Sequence, residues 1–277
     1  MKIQPQTFLS KAALCAGLAA SGLLFLPGQG NAQTTDFTLN SGGSSANVDL
    51  ANGQGMNYWS VLGQNQLISQ WFYYSVNNGP VQAINAIGLV SSSQFGQGNY
   101  LDALYQNSQL SVEVTYTLNG TGPGNADITE TVAAKNLSGG TFNLNLFQYS
   151  NFNLLGSGNN TLQIYGNPGA YTEAVQTSGS TSIAEGIVSP YANSAEANFA
   201  DQTLAQINAG SLQGHLFAGP GNVAWGFEWS TALASGDEFD LTKDKSLSVS
   251  MVPEPSTFAL IGLGMGALGL VRRRRSS

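Results

Sequence analysis

The chain has 277 residues and a mass of 28.9 kDa, with 42% hydrophobic residues but only 9% charged ones, against about 25% charged in an average globular domain. Its polarity comes instead from 25 Asn and 19 Gln, and it carries 34 Gly. Nine basic residues, of which only Lys135, Lys243 and Lys245 lie outside the two ends, exclude a phosphate-tracking nucleic-acid surface. A single cysteine, Cys15, and a single histidine, His215, exclude a Cys/His zinc cluster within one chain.

The N-terminus predicts a secretory signal peptide over residues 1–32. Lys2 and Lys11 are followed by an apolar stretch from Ala12 to Leu26, broken by Pro27 and Gly28. Small residues at Gly30 and Ala32 place cleavage between Ala32 and Gln33. The apolar stretch is short for an uncleaved anchor, which needs roughly 20 residues. Export through the general secretion machinery follows from this segment. Cleavage would leave a mature chain without cysteine.

Residues 33–251 predict one domain, large enough to bury a sizeable core. Fifteen Asp and Glu stand against three Lys there, a net charge of about −12, which disfavours anionic partners and suits calcium. Apolar residues recur with period two. Val112, Val114, Tyr116 and Leu118 alternate with polar neighbours, as do Phe142, Leu144 and Leu146, and Val223, Trp225, Phe227 and Trp229. Further strands are expected over 66–76, 127–136, 161–165, 171–177 and 247–252. Gly, Asn and Pro turns separate them, including 119–124 and 156–160. Ser138-Gly139-Gly140 reads as a hairpin between its flanking strands. Residues 40–57 read as a loop or a frayed first strand. Ser194 would cap one helix from Ala195 to about Asn208, stopped by Gly210. The census is one helix among ten to twelve strands. It predicts a mostly β fold, an antiparallel β-sandwich with one short helical insertion.

Candidate binding residues follow from residue type. Trp71, Phe72, Tyr73 and Tyr74 occur in succession, so some must point outward. Trp71 and Tyr73 could stack on sugar rings, with Asn143 and Asn145 reading hydroxyls. Against this, aromatics fill sandwich cores, and alternating amides simply solvate a sheet with few charges. Asp237, Asp240 and Asp244 cluster before the last strand and form a candidate calcium loop, which Lys243 and Lys245 would neutralise. No other cofactor is implied. A Ser/His/Asp triad would have to use His215, whose surroundings show no nucleophile elbow. Glu113, Glu130, Glu173, Glu185 and Glu228 could supply a glycosidase pair, and most occupy apparent outward strand positions. No catalytic residue is assigned, and the expectation is a non-enzyme.

The C-terminus, residues 252–277, has three parts. Val252-Pro253-Glu254-Pro255-Ser256 is held extended by its two prolines. A predicted transmembrane helix follows over 257–271; its 15 residues would span about 22 Å, short of a roughly 30 Å bilayer core. Arg272, Arg273, Arg274 and Arg275 then stop transfer and stay on the cytoplasmic side. This order resembles the PEP-CTERM sorting signal of exported proteins in Gram-negative bacteria. The resemblance implies recognition and processing by exosortase, a membrane protease, and a transient anchor in the inner membrane. It further implies a surface or matrix destination in an exopolysaccharide-producing bacterium. The implied function is a non-enzymatic surface or extracellular-matrix protein, with a glycan-binding module as the alternative and a polysaccharide-active hydrolase as the third. The runs Phe142–Leu154 and Gly219–Trp225 also resemble the β-rich domain found with this signal.

Overall fold

Period-two alternation becomes strand throughout the described region, residues 34–250 of a computed structural model. In chain order the strands are β1 (Asp36–Ser41), β2 (Ser44–Asp49), β3 (Gly55–Val61), β4 (Gln64–Asn65), β5 (Leu67–Val76) and β6 (Gln82–Ala83). Next come β7 (Leu89–Phe95), β8 (Tyr100–Gln106), β9 (Leu110–Gly122), β10 (Asn125–Asn136), β11 (Phe142–Phe152) and β12 (Asn160–Asn167). The last six are β13 (Ala170–Ser178), β14 (Thr181–Ser189), β15 (Ser194–Phe199), β16 (Phe217–Gly221), β17 (Val223–Leu233) and β18 (Glu238–Ser248). Helix α1 (Ala200–Asn208) interrupts them.

Two nine-stranded sheets face each other. The first runs β1-β2-β3-β5-β11-β17-β15, with β4 beside β3 and β6 beside β5; the second runs β16-β12-β13-β14-β18-β10-β9-β8-β7. All pairings are antiparallel except a short parallel contact of β3 with β5. Inward residues of both sheets form the core. Leu110, Val112, Val114, Tyr116 and Leu118 of β9 are buried, as are Trp225, Phe227 and Trp229 of β17. Each large apolar side chain buried this way contributes roughly 1.5–3 kcal/mol. Trp59 meets Phe152 edge-on, and Phe152 stacks flat on Trp225 at 5.4 Å. Gly55 is obligatory here: its φ is +56°, and a Cβ would lie 1.6 Å from the Trp71 ring.

The expected β-sandwich is present, but with eighteen strands among the described residues rather than ten to twelve. Residues 40–57 run through the end of β1, all of β2 and the start of β3, with turns at 42–43 and 50–54, and the hydrogen bonds along β2 outweigh the Asn- and Ser-rich composition. The expected helix starts at Ala200, not Ala195. Residues 194–199 instead pair with β17, from Ser194 opposite Glu228 to Phe199 opposite Val223. Ser138-Gly139-Gly140 does not close a hairpin: β10 lies in one sheet and β11 in the other. The Asn136 amide redirects the chain, donating to Leu233 O and Gly140 O while its oxygen accepts from Ser138. The turn expected over 119–124 narrows to Pro123-Gly124, because β9 continues to Gly122.

Helix α1 lies on the outer face of the first sheet. Ala200 and Ile207 pack on Phe147, Tyr149 and Ala224, Tyr149 Oη donates to Ala200 O, and Thr203 Oγ1 donates to Ala224 O. Among the described residues no helix is long and apolar enough to cross a membrane. The predicted signal peptide, sorting motif and transmembrane helix lie outside the described residues.

Candidate functional site

Four ionisable side chains lie between the sheets, each fully buried: Glu130 on β10, Glu185 on β14, and Lys243 and Lys245 on β18. Register brings them together. Glu130 is directly opposite Lys243, and Glu185 directly opposite Lys245. Lys243 Nζ pairs with Glu130 Oε2 and lies 3.2 Å from Glu185 Oε1. Lys245 Nζ lies 2.8 Å from Glu130 Oε1 and 3.5 Å from Glu185 Oε2. The facing sheet supplies further donors to Glu185 Oε2: Gln148 Nε2 at 2.8 Å, Trp225 Nε1 at 3.0 Å and Ser150 Oγ at 3.4 Å. The Phe72 ring sits 4.9 Å from Lys243 Nζ.

The tetrad is formally neutral, so each buried charge has a counter-charge. Burial pulls Lys243 down to about 8, against the opposing pull of Glu130 and Glu185. Burial also works against charge on Lys245, but the two carboxylates outweigh it and hold Lys245 above its ordinary value. For Glu185, burial is outweighed by Lys243 and Lys245 and by the Gln148 and Trp225 hydrogen bonds, so its carboxyl is held below the usual range. The Tyr116 hydroxyl, directly opposite Glu130, is pushed well up by burial and then by the Glu130 charge. Such a cluster fixes structure; with both carboxylates shielded from solvent, neither is presented to a substrate. Of the five glutamates expected mostly at outward strand positions, Glu130 and Glu185 point into the core instead, and Lys243 and Lys245, expected to neutralise the cluster of Asp237, Asp240 and Asp244, pair with these two.

A second cluster surrounds His215. Glu196 on β15 is fully buried, yet its carboxylate meets the imidazole Nδ1 of His215 at 2.7 Å. The same carboxylate accepts from Asn198 Nδ2 and Gln206 Nε2 at 3.0 Å, and from the backbone N–H groups of Gln213 and His215 at 3.1 Å. This ties the segment after α1 to the edge of the first sheet. The imidazole is half exposed and oriented by a buried carboxylate, whose other partners are amides and backbone N–H groups rather than a hydroxyl nucleophile.

The other sequence-derived candidates are dispersed. Trp71 is buried, with its indole N–H on Asn85 Oδ1 and its ring edge-on to Tyr105; it offers no platform. Tyr73 is half-buried between the core and the α1 cluster. Asn143 is exposed, and Asn145 is half-buried with its amide on Ser75 Oγ. Asp240 and Asp244 lie on strand β18 rather than in a loop. Asp244 accepts from Thr129 Oγ1, and Asp237 accepts from the Ala234 N–H. These three are not gathered, and among the described residues no three His, Cys, Asp or Glu side chains cluster to hold a metal ion. Lys243 and Lys245 turn away from them into the core. Glu113 stands on the outer face with its carboxyl raised by burial and by Asp102; Glu228 is raised by burial.

One concave feature was not legible in the sequence. An open cleft of about 600 Å³ lies around the β1–β2 turn, lined by groups such as Asn40, Ser41, Ser45, Gln97 and Asn99. Every lining residue is uncharged, and hydroxyl and amide groups predominate.

The fold defines a two-sheet antiparallel β-sandwich with a neutralised ionic core. Among solved structures it is similar to a bacterial glucoamylase complexed with acarbose, at TM-score 0.55 and 11% identity over 84% of this chain and 36% of that one. It is also similar to a putative aldose 1-epimerase from Escherichia coli K12, at TM-score 0.48 and 11% identity over 79% and 99% of the two chains. A polysaccharide lyase matches at TM-score 0.48 and 11% identity, over 73% and 32%. At such identity the likeness is one of fold alone, and the chain spans about a third of the glucoamylase's length. Among curated proteins none matches. Residues 252–275 match the PEP-CTERM protein-sorting motif, so the chain carries a PEP-CTERM sorting signal at that position. That motif is the one recognised by exosortase, and it marks an exported protein with a transient membrane anchor.

Proposed function

We propose that the sandwich is a non-enzymatic component of the cell surface or extracellular matrix, delivered by its C-terminal signal and released from the inner membrane by exosortase. The observation that carries this reading is the sorting motif at residues 252–275. Support comes from the interior: Glu130 and Glu185 are spent on Lys243 and Lys245, and the tryptophans serve the core. In this reading the N-terminal segment is removed after Ala32 by the general secretion pathway. Expression in a host with exosortase tests it. The expected result is a surface or matrix fraction starting at Gln33 and lacking the Arg272–Arg275 tail, with the tail retained when Pro253, Glu254 and Pro255 are replaced by Ala. Retention of the wild-type tail in that host would refute the sorting step.

The uncharged polar cleft beside β1 and β2 favours a second reading, a glycan-binding module, because sugar hydroxyls are met by amides and hydroxyls rather than by charges. Retention of the exported protein on its host's exopolysaccharide, with and without calcium, separates the two. Saturable retention lost on substituting Gln97 and Asn99 supports glycan binding, and passage through the column supports the structural role.

A further inference from the structure

We propose that the end of the sandwich from which the chain leaves toward the sorting signal is a docking face for exosortase, so that the enzyme reads the folded domain together with the tail. This rests on the sorting reading above and adds to it a second point of recognition.

Register gathers six turns at that end. Asn125 is opposite both Gly122 and Ser248, and Ser182 is opposite Ser248, which brings the 122–125 and 178–181 turns to the end of β18. The β1–β2 turn joins them, with Ser41 Oγ accepting from the Gly120 N–H at 3.1 Å. The Leu62 side chain lies beside Gly124, Asn99 O accepts from the Leu118 N–H, and Ser157 Oγ meets Ser178 Oγ at 2.7 Å. These turns cover 41–44, 62–64, 96–99, 119–125, 156–159 and 178–181. None contains a charged residue. In a domain of about −12 this is a marked asymmetry, since Asp36, Asp49, Asp237 and Glu238 lie at the other ends of their strands.

Chain length makes this end the one the enzyme must approach. The Val249 N–H is bonded to Gly124 O at 2.7 Å, so the chain is fixed there. Pro253 is four residues further and Pro255 six. Fully extended, they lie at most about 14 Å and about 21 Å from Val249, at roughly 3.5 Å per residue. A folded protease that grips the Pro-Glu-Pro segment is wider than that gap and abuts the turns. The face suits such a contact. Its uncharged groups cost less to desolvate than carboxylates would. The Gly42–Gly43 turn is flanked by the polar cleft and by a second recess of about 240 Å³ lined partly by Val61, Leu62 and Pro123. The matching partner surface is an uncharged hydrogen-bonding loop with an apolar tip. Anionic lipid is disfavoured as the occupant, because binding it draws on Lys and Arg and these turns have neither.

The test uses the full-length chain in membranes containing exosortase, with tail removal followed over time. One variant carries Gln97→Glu, Thr121→Glu, Asn159→Asp and Ser180→Glu, all at exposed positions of the docking end. The control carries Asn78→Asp, Ser108→Glu, Gln109→Glu and Asn167→Asp, exposed at the far end. Thermal unfolding checks that both fold. The first variant is expected to be processed at least tenfold more slowly, and the control within twofold of wild type. A Gly/Ser spacer of a dozen residues after Ser250 is expected to slow processing several-fold by uncoupling the two contacts. Wild-type rates for the first variant, or faster processing with the spacer, would overturn the docking face while leaving the sorting reading intact. Failure of the wild-type tail to be removed would overturn both. Flotation with anionic vesicles that lack the enzyme, if altered by the docking-end changes, would assign the face to lipid and overturn the proposal.

Discussion

Replacing Glu185 by Gln preserves shape and removes one negative charge from the buried tetrad. What remains is Lys243, Lys245 and Glu130, a net +1 at a site with no solvent exposure. Breaking a buried pair in this way costs about 3–5 kcal/mol. For a domain of this size each kcal/mol shifts the melting temperature by about 2–4 °C, so Tm should fall by roughly 6–20 °C. Lys243, already drawn down to about 8 by burial, is the group that yields its proton when the counter-charge is removed. A base with a lowered folded pKa makes the unfolded state bind more protons, so stability rises with pH through that window. The deficit of Glu185→Gln should therefore shrink between pH 7 and pH 9. The double variant Glu185→Gln/Lys243→Met restores neutrality and should be more stable than the sum of the single effects implies, by about 1–3 kcal/mol. Thermal and urea unfolding of the four proteins measures the cycle. A single-variant loss below about 1 kcal/mol, or strict additivity, would mean that the charges do not act as a unit.

Acid should act through the same carboxylate. The folded pKa of Glu185 is depressed, so its stabilisation is present above about pH 4.5, the ordinary value, and is lost as pH falls through the folded value; a Tm profile that is flat below pH 4.5 would contradict this. Glu113 is displaced the other way, by burial and then by Asp102, and Asp102→Asn should bring its carboxyl titration back down, as read by NMR. Gly55→Ala should destabilise by more than about 4 kcal/mol, because the new methyl meets the Trp71 ring on a backbone of positive φ. Gly43→Ala, also at positive φ but with open space around it, should cost only about 1–2 kcal/mol. Equal losses in chemical denaturation would show that backbone strain, not the indole, sets the requirement.

Strands with uninterrupted alternation were legible in the sequence because their pattern is local. Val112 to Leu118 and Val223 to Trp229 are examples. The pairing of Ser194–Phe199 was not, since a short Ala-rich segment gains its strand conformation only from β17 beside it. The charged core had a signal that was easy to misassign. Glu130 shares its face with Ile128 and Val132, Glu185 with Ile183 and Ile187, and Lys243 and Lys245 with Leu241 and Leu247. In each run a charge occupies an apolar position. What one strand cannot disclose is that the three intrusions meet, because that depends on the order β14-β18-β10. Glu196 was hidden for a similar reason: its donors at Gln206, Gln213 and His215 become neighbours only when α1 folds back over the sheet edge.

The tetrad bears on how an exported chain without cysteine after residue 15 keeps one register. Apolar pairing alone penalises a slip by one residue, which turns a core face outward, but it penalises a slip by two far less. Moving β18 by two residues relative to β10 would still place Leu241 and Leu247 inward. In either direction the slip would leave one of Glu130 and Glu185 opposite a lysine and set the other opposite Leu247 or Leu241. Paired buried ions contribute little net stability, whereas mispaired ones cost several kcal/mol each. The charges therefore act chiefly against the wrong alignments. Fixing β18 also fixes Val249 against Gly124, and with it the place at which the sorting segment leaves the domain.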